Sequence, residues 1–206
     1  MSSGIECVIF DLGNVLIEWD RRNLYQKLIS DPDELDAFLD NVFTMDDNAE
    51  LDRGTPLVDV ATEVARRHPD KHDLVMAFAD RWKETLGDVI PGTVSILEDL
   101  SSAGVKLLAL SNWGKDTFAS IEADYDFLRL FDGMVISGRE GVVKPDRKIF
   151  DILCERYDVT PHDAVFVDDS SANIVTAMTL GFDALLFDNP ELLRQQLIYR
   201  CLFEPK

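Results

Sequence analysis

Near its start the chain has a short apolar run, Cys7 to Phe10, that ends in a single carboxylate, Asp11. A loop that contains Gly13 and Asn14 follows directly. An apolar run bounded by a glycine-containing turn is typical of a buried strand in a parallel sheet. A carboxylate at the end of such a strand is unfavourable unless another group pairs with it. On this segment alone, Asp11 is explained equally well as a helix cap, a turn residue or part of a site.

Strand-like and helix-like segments alternate from residue 90 onward. The strand segments are apolar throughout, and the helix segments carry apolar residues at three- and four-residue steps. This pattern predicts a parallel sheet with helices on both faces, joined by right-handed crossovers. With the first strand included, the predicted strands are 7–10, 105–110, 133–136, 164–167 and 184–187. The predicted helices are 91–103, 115–124, 146–157, 171–180 and 190–199.

The segment from about residue 20 to residue 87 has helical periodicity and no convincing strand. Its predicted helices are 22–29, 31–43, 55–67 and 71–86. Pro32 and Pro56 lie near the start of two of them, where proline is favoured. We therefore predict an α/β protein in which an all-helical cap domain, residues 19–87, is inserted into a Rossmann-like core domain, residues 1–18 and 88–206.

Composition restricts the possible partners of the 206-residue chain. The formal net charge of -19 argues against nucleic acid and anionic membranes, because phosphate groups attract basic surfaces. The sequence has no apolar run of about 18 residues and no signal-peptide pattern, so we expect a cytoplasmic protein without a membrane span. Cys7, Cys154 and Cys201 lack metal-ligand spacing, and we expect them to be reduced thiols.

Polar side chains follow four of the predicted strands, at the sheet edge where ligands bind in folds of this kind. They include three acids, a hydroxyl and a lysine, which together are strong evidence for a site. The residues concerned are Asp11, Ser111, Asn112, Lys144, Asp168 and Asp169.

This mixture of side chains suits phosphoryl chemistry. Three nearby carboxylates repel one another and need a cation, and oxygen ligands without Cys or His suit Mg²⁺. Lys144 and Ser111 can hold the oxygens of a phosphoryl group, while a carboxylate can act as a nucleophile. The sequence suggests no Ser-His or Cys-His pairing, because His68 and His72 lie in or near the helical insert and His162 precedes a strand. Neither the lysine-containing phosphate loop nor the dinucleotide fingerprint is present.

In order and spacing, these residues resemble the four motifs of the haloacid dehalogenase-like hydrolase superfamily. By this resemblance, Asp11 is the nucleophile and a Mg²⁺ ligand, and the backbone carbonyl of Gly13 can also ligate Mg²⁺. Ser111 and Asn112 match the phosphate-binding second motif, and Lys144 matches the third. The fourth motif holds Mg²⁺, with Asp169 as a direct ligand and Asp168 as a direct or water-mediated one.

The helical insert is similar to the cap of subfamily I, which closes over the core and selects the substrate. Residues 11–20 resemble the branch that includes bacterial sugar-phosphate phosphatases. The resemblance therefore implies a Mg²⁺-dependent phosphatase that hydrolyses a small phosphorylated metabolite, such as a sugar phosphate, through an aspartyl-phosphate. It implies neither the substrate nor the oligomeric state.

The sequence departs from the family pattern at Gly13, where family phosphatases usually carry a second Asp as general acid and base. General acid-base help is worth about 10²–10⁴-fold in rate. We therefore expect slower turnover, or dependence on a good leaving group, a substrate hydroxyl or a bound water, and we expect Gly13→Asp to raise turnover. Glu18 and Asp20 are candidate substitutes, but they are better explained as solvated or helix-start acids. Trp113, directly after the second motif, is a candidate substrate contact.

Two alternatives stay open. A 2-haloacid dehalogenase would use Asp11 to attack carbon without a metal, but Asp168 and Asp169 would repel its carboxylate substrate unless a cation were bound. A non-catalytic phosphometabolite-binding protein would account for Gly13 and would bind a phosphate ester in Mg²⁺ without turnover.

Overall fold

The computed structural model describes residues 4–203, and its central feature is a five-stranded sheet in the order β5-β4-β1-β6-β7. All neighbouring strands in this sheet are parallel. A second, two-stranded antiparallel sheet pairs β2 with β3. The strands are β1 (Cys7–Phe10), β2 (Ile17–Trp19), β3 (Leu86–Val89), β4 (Lys106–Ser111), β5 (Gly133–Ile136), β6 (Ala164–Asp168) and β7 (Asp183–Leu186).

Helices cover both faces of the sheet and form most of the insert between β2 and β3. The insert contains α1 (Arg22–Tyr25), α2 (Pro32–Asn41), α3 (Met45–Asp52), α4 (Leu57–Arg67) and α5 (His72–Arg81). The rest of the chain contains α6 (Pro91–Ser102), α7 (Lys115–Ile121), α8 (Ser137–Glu140), α9 (Arg147–Tyr157), α10 (Ser171–Leu180) and α11 (Pro190–Tyr199). The predicted fold class, a Rossmann-like parallel sheet with a helical insert, is confirmed.

The strand order explains where a ligand can bind. From the central strand β1 the chain moves to β4 and β5 on one side, and then returns to β6 and β7 on the other. The crossovers on the two sides of β1 therefore leave in opposite directions, which opens a crevice beyond the carboxyl ends of the strands. Asp11 stands at this crevice, directly after β1.

The alternation of side chains along β1 divides the core into two apolar layers. Val8 and Phe10 belong to a buried cluster that continues into the insert and includes Tyr25 and Phe78. Cys7 and Ile9 belong to a second cluster on the opposite face, which includes residues of α9 and β6. One face of the sheet thus shares a continuous core with the insert.

The insert differs from its prediction at its two ends, where β2 and β3 form an antiparallel ribbon. Backbone hydrogen bonds continue the ribbon, with Asp20 N–H donating to Thr85 O at 3.0 Å and Ile90 N–H donating to Leu16 O at 2.9 Å. The α-helix expected to run to residue 86 ends at Arg81, after which Trp82–Thr85 form a 3₁₀ helix and Leu86 begins β3. Strands this short show no readable alternation, because it takes several residues to establish a period. The proposed boundaries at 18/19 and 87/88 lie within this ribbon, and the division into two domains stays a prediction.

Helix α3 is absent from the sequence-based prediction. It begins with a capping box, in which Thr44 and Asp47 bond each other's backbone N–H groups. Its apolar periodicity is weak, because the side chains it buries are Asp47, Asn48 and Leu51. The Thr-x-x-Asp spacing before it was the readable signal.

Within residues 4–203, no helix is both long and apolar enough to cross a bilayer. Cys7, Cys154 and Cys201 are free thiols, and burial raises the pKa of Cys7 and of Cys154 to about 11.

Candidate active site

Of the six polar residues predicted from the strand ends, Asp11, Asn112, Lys144 and Asp169 line one cleft of about 310 Å³, whereas Ser111 and Asp168 are buried and do not line it. Asp11 follows β1, Ser111 ends β4, and Asp168 ends β6. Lys144 arrives from the loop after α8 and is buried, with its side chain 0% exposed. Asp169, at the start of the next loop, is exposed at the mouth of the cleft.

Lys144 is the centre of the charged cluster. Its Nζ lies 2.9 Å from Asp11 Oδ2 and donates to Asp168 Oδ2 at 2.7 Å and to Leu110 O at 2.7 Å. These three contacts use all three donors of an ammonium group. Burial alone would lower the pKa of Lys144, but the two carboxylates raise it above its usual value. The lysine is therefore charged and neutralises part of the acidic cluster.

Asp11 is the predicted nucleophile and is 7% exposed. Its Oδ1 accepts a hydrogen bond from Leu12 N–H at 2.7 Å, which fixes the carboxylate plane. The pKa of Asp11 is raised to about 7, chiefly by burial and also by the neighbouring Asp168, although Lys144 acts in the opposite direction. A cation bound beside Asp11 would favour its ionised, nucleophilic form.

The donor set fits a hard divalent cation. One oxygen from each of Asp11, Asp168 and Asp169 can be chosen so that the three lie within 4.8 Å of one another. Partial burial and Asp168 raise the pKa of Asp169, whereas a hydrogen bond from the Asn14 side chain lowers it. Three carboxylates and one ammonium leave an excess of negative charge, and Mg²⁺ prefers such oxygen ligands.

Asp168 already has a full set of hydrogen-bond partners. Its Oδ1 accepts from Ser170 N–H at 2.8 Å and from Asn173 Nδ2 at 2.9 Å. Its Oδ2 accepts from Lys144 Nζ at 2.7 Å and from Asn173 Nδ2 at 3.1 Å. A carboxylate offers about four lone-pair sites, so Asp168 has none left for direct metal ligation in this arrangement. Because Ser170 is the N-cap residue of α10, Asn173 orients Asp168 instead of capping the helix.

Ser111 and Asn112 differ in what their side chains do. Ser111 Oγ is buried and has no hydrogen-bond partner within residues 4–203, although it lies near enough to Asp11 to lower the pKa of that carboxyl. Asn112 Nδ2 donates to Lys144 O at 2.9 Å, and Asn112 Oδ1 accepts from Lys144 N–H at 2.8 Å. The Asn112 side chain therefore holds the backbone of Lys144, while the Ser111 hydroxyl is left as a buried donor beside Asp11.

Asn14 is a site residue that sequence reasoning missed. Its φ of 55° is left-handed, a conformation that Asn tolerates better than most residues. Its Oδ1 accepts from Trp19 N–H at 2.9 Å, and its side chain also hydrogen-bonds Asp169. The signal available in the sequence was an Asn in the loop directly after the first motif.

The helical insert, called the cap below, contributes a wall of the cleft. Asn48, Leu51 and Asp52 of α3 line the cleft, together with Trp19 and Trp82 of the cap and Trp113 of the core. Trp113 thus lines the cleft as predicted, and the other two join it. Glu18 and Asp20 do not line the cleft. Glu18 is exposed, and Asp20 accepts from Arg22 N–H at the start of α1.

Asp52 is a second residue that the sequence did not indicate. Burial raises its pKa to about 7, whereas Lys144, Arg53 and a hydrogen bond from Asn48 act in the opposite direction. Asn48 Nδ2 donates to Asp52 Oδ2 at 3.2 Å. Within residues 4–203, Asp52 is the only titratable side chain from the cap that lines the cleft.

Comparison with known proteins identifies the family of the chain. Residues 5–180 match the model of the haloacid dehalogenase-like hydrolase family. A sesquiterpene phosphatase of Aspergillus oryzae is 24% identical to the chain over 90% of the chain and 91% of that protein. A drimenol cyclase of Aspergillus calidoustus is 27% identical over 94% of the chain, but the chain spans only 36% of that longer protein.

The fold is shared with solved structures. One is an enzyme of the same family from Bacteroides thetaiotaomicron, whose crystal structure is a complex with magnesium and inorganic phosphate. It is 20% identical, has a TM-score of 0.68, and aligns over 90% of this chain and 95% of its own.

Proposed function

Because the chain belongs to the haloacid dehalogenase-like hydrolase family, we propose that it is a Mg²⁺-dependent phosphatase that acts on a small phosphate monoester. The observation that carries this proposal is the cluster of Asp11, Asp168 and Asp169 around the buried ammonium of Lys144. A cluster with this excess of negative charge is suited to a cation and, through the cation, to an anionic substrate.

We assign the metal to the oxygens that are free to bind it. Asp11, Asp169 and the backbone carbonyl of Gly13 would hold Mg²⁺, and Asp168 would contact it through water because its lone pairs are used. When bound, Mg²⁺ supplies positive charge that lowers the repulsion between Asp11 and a phosphoryl group. The net negative charge of three carboxylates around one ammonium supports this assignment.

Three residues bind or position the phosphoryl group. The Ser111 hydroxyl is buried beside Asp11 without a hydrogen-bond partner in residues 4–203, and donation to a phosphoryl oxygen on Asp11 would satisfy it. Lys144 supplies positive charge at the same rim. Asn112 was predicted to bind phosphate, and its side chain is better suited to hold Lys144, so a phosphate contact from Asn112 would come from its backbone.

The reaction has two steps. The Asp11 carboxylate attacks phosphorus, the bond from phosphorus to the alcohol oxygen breaks, and an aspartyl-phosphate forms. Water then attacks phosphorus, the bond from phosphorus to Asp11 breaks, and inorganic phosphate leaves. Both steps need a proton donor or acceptor near the leaving oxygen or the water.

The walls of the cleft limit the alcohol part of the substrate. The three tryptophans offer flat apolar faces, and Asn48 and Thr117 offer hydrogen bonds. A sugar phosphate with its apolar ring face on tryptophan fits this lining. A terpenoid phosphate fits the apolar part, and the similarity to a sesquiterpene phosphatase supports including it in a substrate screen.

The test is phosphate release from an aryl phosphate with and without Mg²⁺, in the wild type and in Asp11→Asn. We expect release that needs both the metal and Asp11. The matched control is Asp46→Asn, an exposed acid on α3 that should leave turnover unchanged.

Halide release from a 2-haloacid is measured in parallel. Metal-independent halide release would overturn the phosphatase in favour of a dehalogenase. Mg²⁺-dependent binding of phosphate esters without any turnover would instead favour the non-catalytic alternative.

A further inference from the structure

A phosphatase built on this site lacks an obvious proton donor. Gly13 stands where family phosphatases usually have an acid, and its position has open space, with no atom within 4 Å of an added Cβ. Asp168 is fully hydrogen-bonded, and Glu18 and Asp20 lie outside the cleft. The proton must therefore come from another group in the cleft or from water.

The cap brings its own acid to the cleft because the end of α3 is docked tightly on the core. Gly54, at φ 101°, approaches Gly138 so closely that an added Cβ would lie 2.7 Å from Gly138 O. Leu51 O would similarly lie 3.3 Å from a Cβ at Gly114. These approaches bring backbone against backbone, so the end of α3 and the turn after it are held against the loop that follows β4 and against α8.

A hydrogen bond further along the chain reinforces this docking. Leu57 N–H, at the start of α4, donates to Asp116 Oδ2 of α7 at 2.8 Å. The segment from α3 to α4 is therefore anchored to the core on both sides of its turn. Asp52, the last residue of α3, is held at a defined place in the cleft that Asp11 also lines.

The environment of Asp52 suits a proton donor. The carboxyl is partly buried, is oriented by Asn48, and faces the same cleft as Lys144. Its raised pKa, about 7, keeps a substantial protonated fraction near neutral pH. General acids and bases work best when their pKa is near the working pH.

Resting on the proposed function, we propose that Asp52 is the general acid and base of this enzyme, acting from the cap in place of the acid missing at position 13. In the first step, Asp11 attacks phosphorus and the Asp52 carboxyl protonates the departing alcohol oxygen, directly or through one water. In the second step, the Asp52 carboxylate takes a proton from the water that attacks phosphorus, and Asp11 is released. The enzyme ends each cycle with Asp52 protonated again.

The test varies the leaving group of the substrate. The value of kcat/KM is measured for a series of aryl phosphates, from nitrophenyl, whose phenolate leaves readily, to unsubstituted phenyl, and for one alkyl phosphate. Because kcat/KM reports the steps up to aspartyl-phosphate formation, it isolates the protonation of the leaving oxygen. We expect Asp52→Asn to lower kcat/KM by about 10²–10⁴-fold for the poor leaving groups and by much less for nitrophenyl.

A rescue variant separates proton transfer from structural roles. Gly13→Asp adds a carboxyl close to Asp11 at a position where an added Cβ would have, apart from its chain neighbours, no atom of residues 4–203 within 4 Å. In the Asp52→Asn background we expect it to recover most of the loss with the poor leaving groups. Asp46→Asn, on the exposed side of the same helix, should show the wild-type dependence on the leaving group.

The outcomes are distinguishable. An equal loss for all substrates in Asp52→Asn, with no recovery by Gly13→Asp, means that Asp52 only shapes the cleft, and the inference is overturned while the phosphatase stands. Unchanged rates in Asp52→Asn overturn it as well. A wild type that releases no phosphate from any substrate overturns the proposed function, and this inference with it.

Discussion

At the scale of single residues, the site is organised by the contacts of Lys144. One ammonium neutralises parts of two carboxylates and also binds a backbone carbonyl, so no donor of the lysine is left over. The two carboxylates are buried with it, and each would be unfavourable alone. The proposed catalytic role of Lys144 and its structural role therefore fall on the same side chain.

Replacing this lysine should be costly for stability. We expect Lys144→Met, an unbranched side chain one atom shorter, to lower the free energy of unfolding by about 3–5 kcal/mol without Mg²⁺, because it leaves two buried acids without their cation. Urea denaturation measures the change. Lys148→Met, at an exposed position on α9, is the control and should stay within about 0.5 kcal/mol of wild type. A loss below 1 kcal/mol for Lys144→Met would contradict this account of the cluster.

Asn112 and Asn173 show how amide side chains support the charged groups. Asn112 binds the backbone of Lys144 in two directions, and Asn173 donates to both oxygens of Asp168. Asn112 was visible in the sequence as part of the second motif, but its hydrogen-bond partner was not. That partner is the backbone of Lys144, 32 residues away in the chain, so no local pattern indicates it.

At the scale of elements, the docking of α3 on the core decides which residues of the cap line the cleft. This helix is short and weakly amphipathic, so tertiary contacts and its capping box stabilise it more than any apolar stripe does. Leu51 of α3 lies close to Gly114 of the core, and Gly54, just after the helix, lies close to Gly138. Side chains at these glycines would separate the two backbones. The glycines thus allow cap residues to reach the cleft.

A pair of glycine substitutions tests this role. Gly54 and Gly104 both have left-handed φ values, 101° and 76°, but only Gly54 has a backbone oxygen within 3 Å of an added Cβ. Gly104→Ala should cost about 1–2 kcal/mol of stability from φ strain alone and leave kcat/KM unchanged. Gly54→Ala should cost more and should also lower kcat/KM, because it pushes Asp52 away from the core. Equal effects of the two variants on both measurements would show that the close approach is unimportant.

At the scale of the whole molecule, charge couples metal binding to stability. The chain carries a formal net charge of -19, and part of this charge is concentrated at the cleft. A cation that binds the folded state but not the unfolded chain stabilises the fold by about 2.7 kcal/mol at 100 times its Kd.

We therefore expect Mg²⁺ at that concentration to raise the Tm by roughly 5–10 °C, measured by differential scanning calorimetry. Asp169→Asn should remove most of this shift. Sodium chloride at matched ionic strength is the control, because salt also screens general repulsion between acids. If sodium chloride reproduces the whole shift, or if Asp169→Asn keeps it, the metal assignment is wrong.

The sequence by itself determined the layers of the fold and the composition of the site. Apolar strands that alternate with helices allow few arrangements, and parallel strands bring all their carboxyl ends to one edge. The five strands and the gathering of Asp11, Ser111, Lys144 and Asp168 followed from local pattern and chain direction.

Only the tertiary structure decided which hydrogen bonds these groups form and which residues of the cap line the cleft. The β2–β3 ribbon and helix α3 have weak local signals, because their stability comes from contacts with segments distant in the chain. The contact of Asp168 with Lys144 and the partnerless hydroxyl of Ser111, within residues 4–203, follow from distances inside the core. The presence of Asp52 in the cleft follows from the contact of α3 with the core. Local sequence carries no record of such distances, since hydrogen-bond geometry and burial arise only when distant segments of the chain meet.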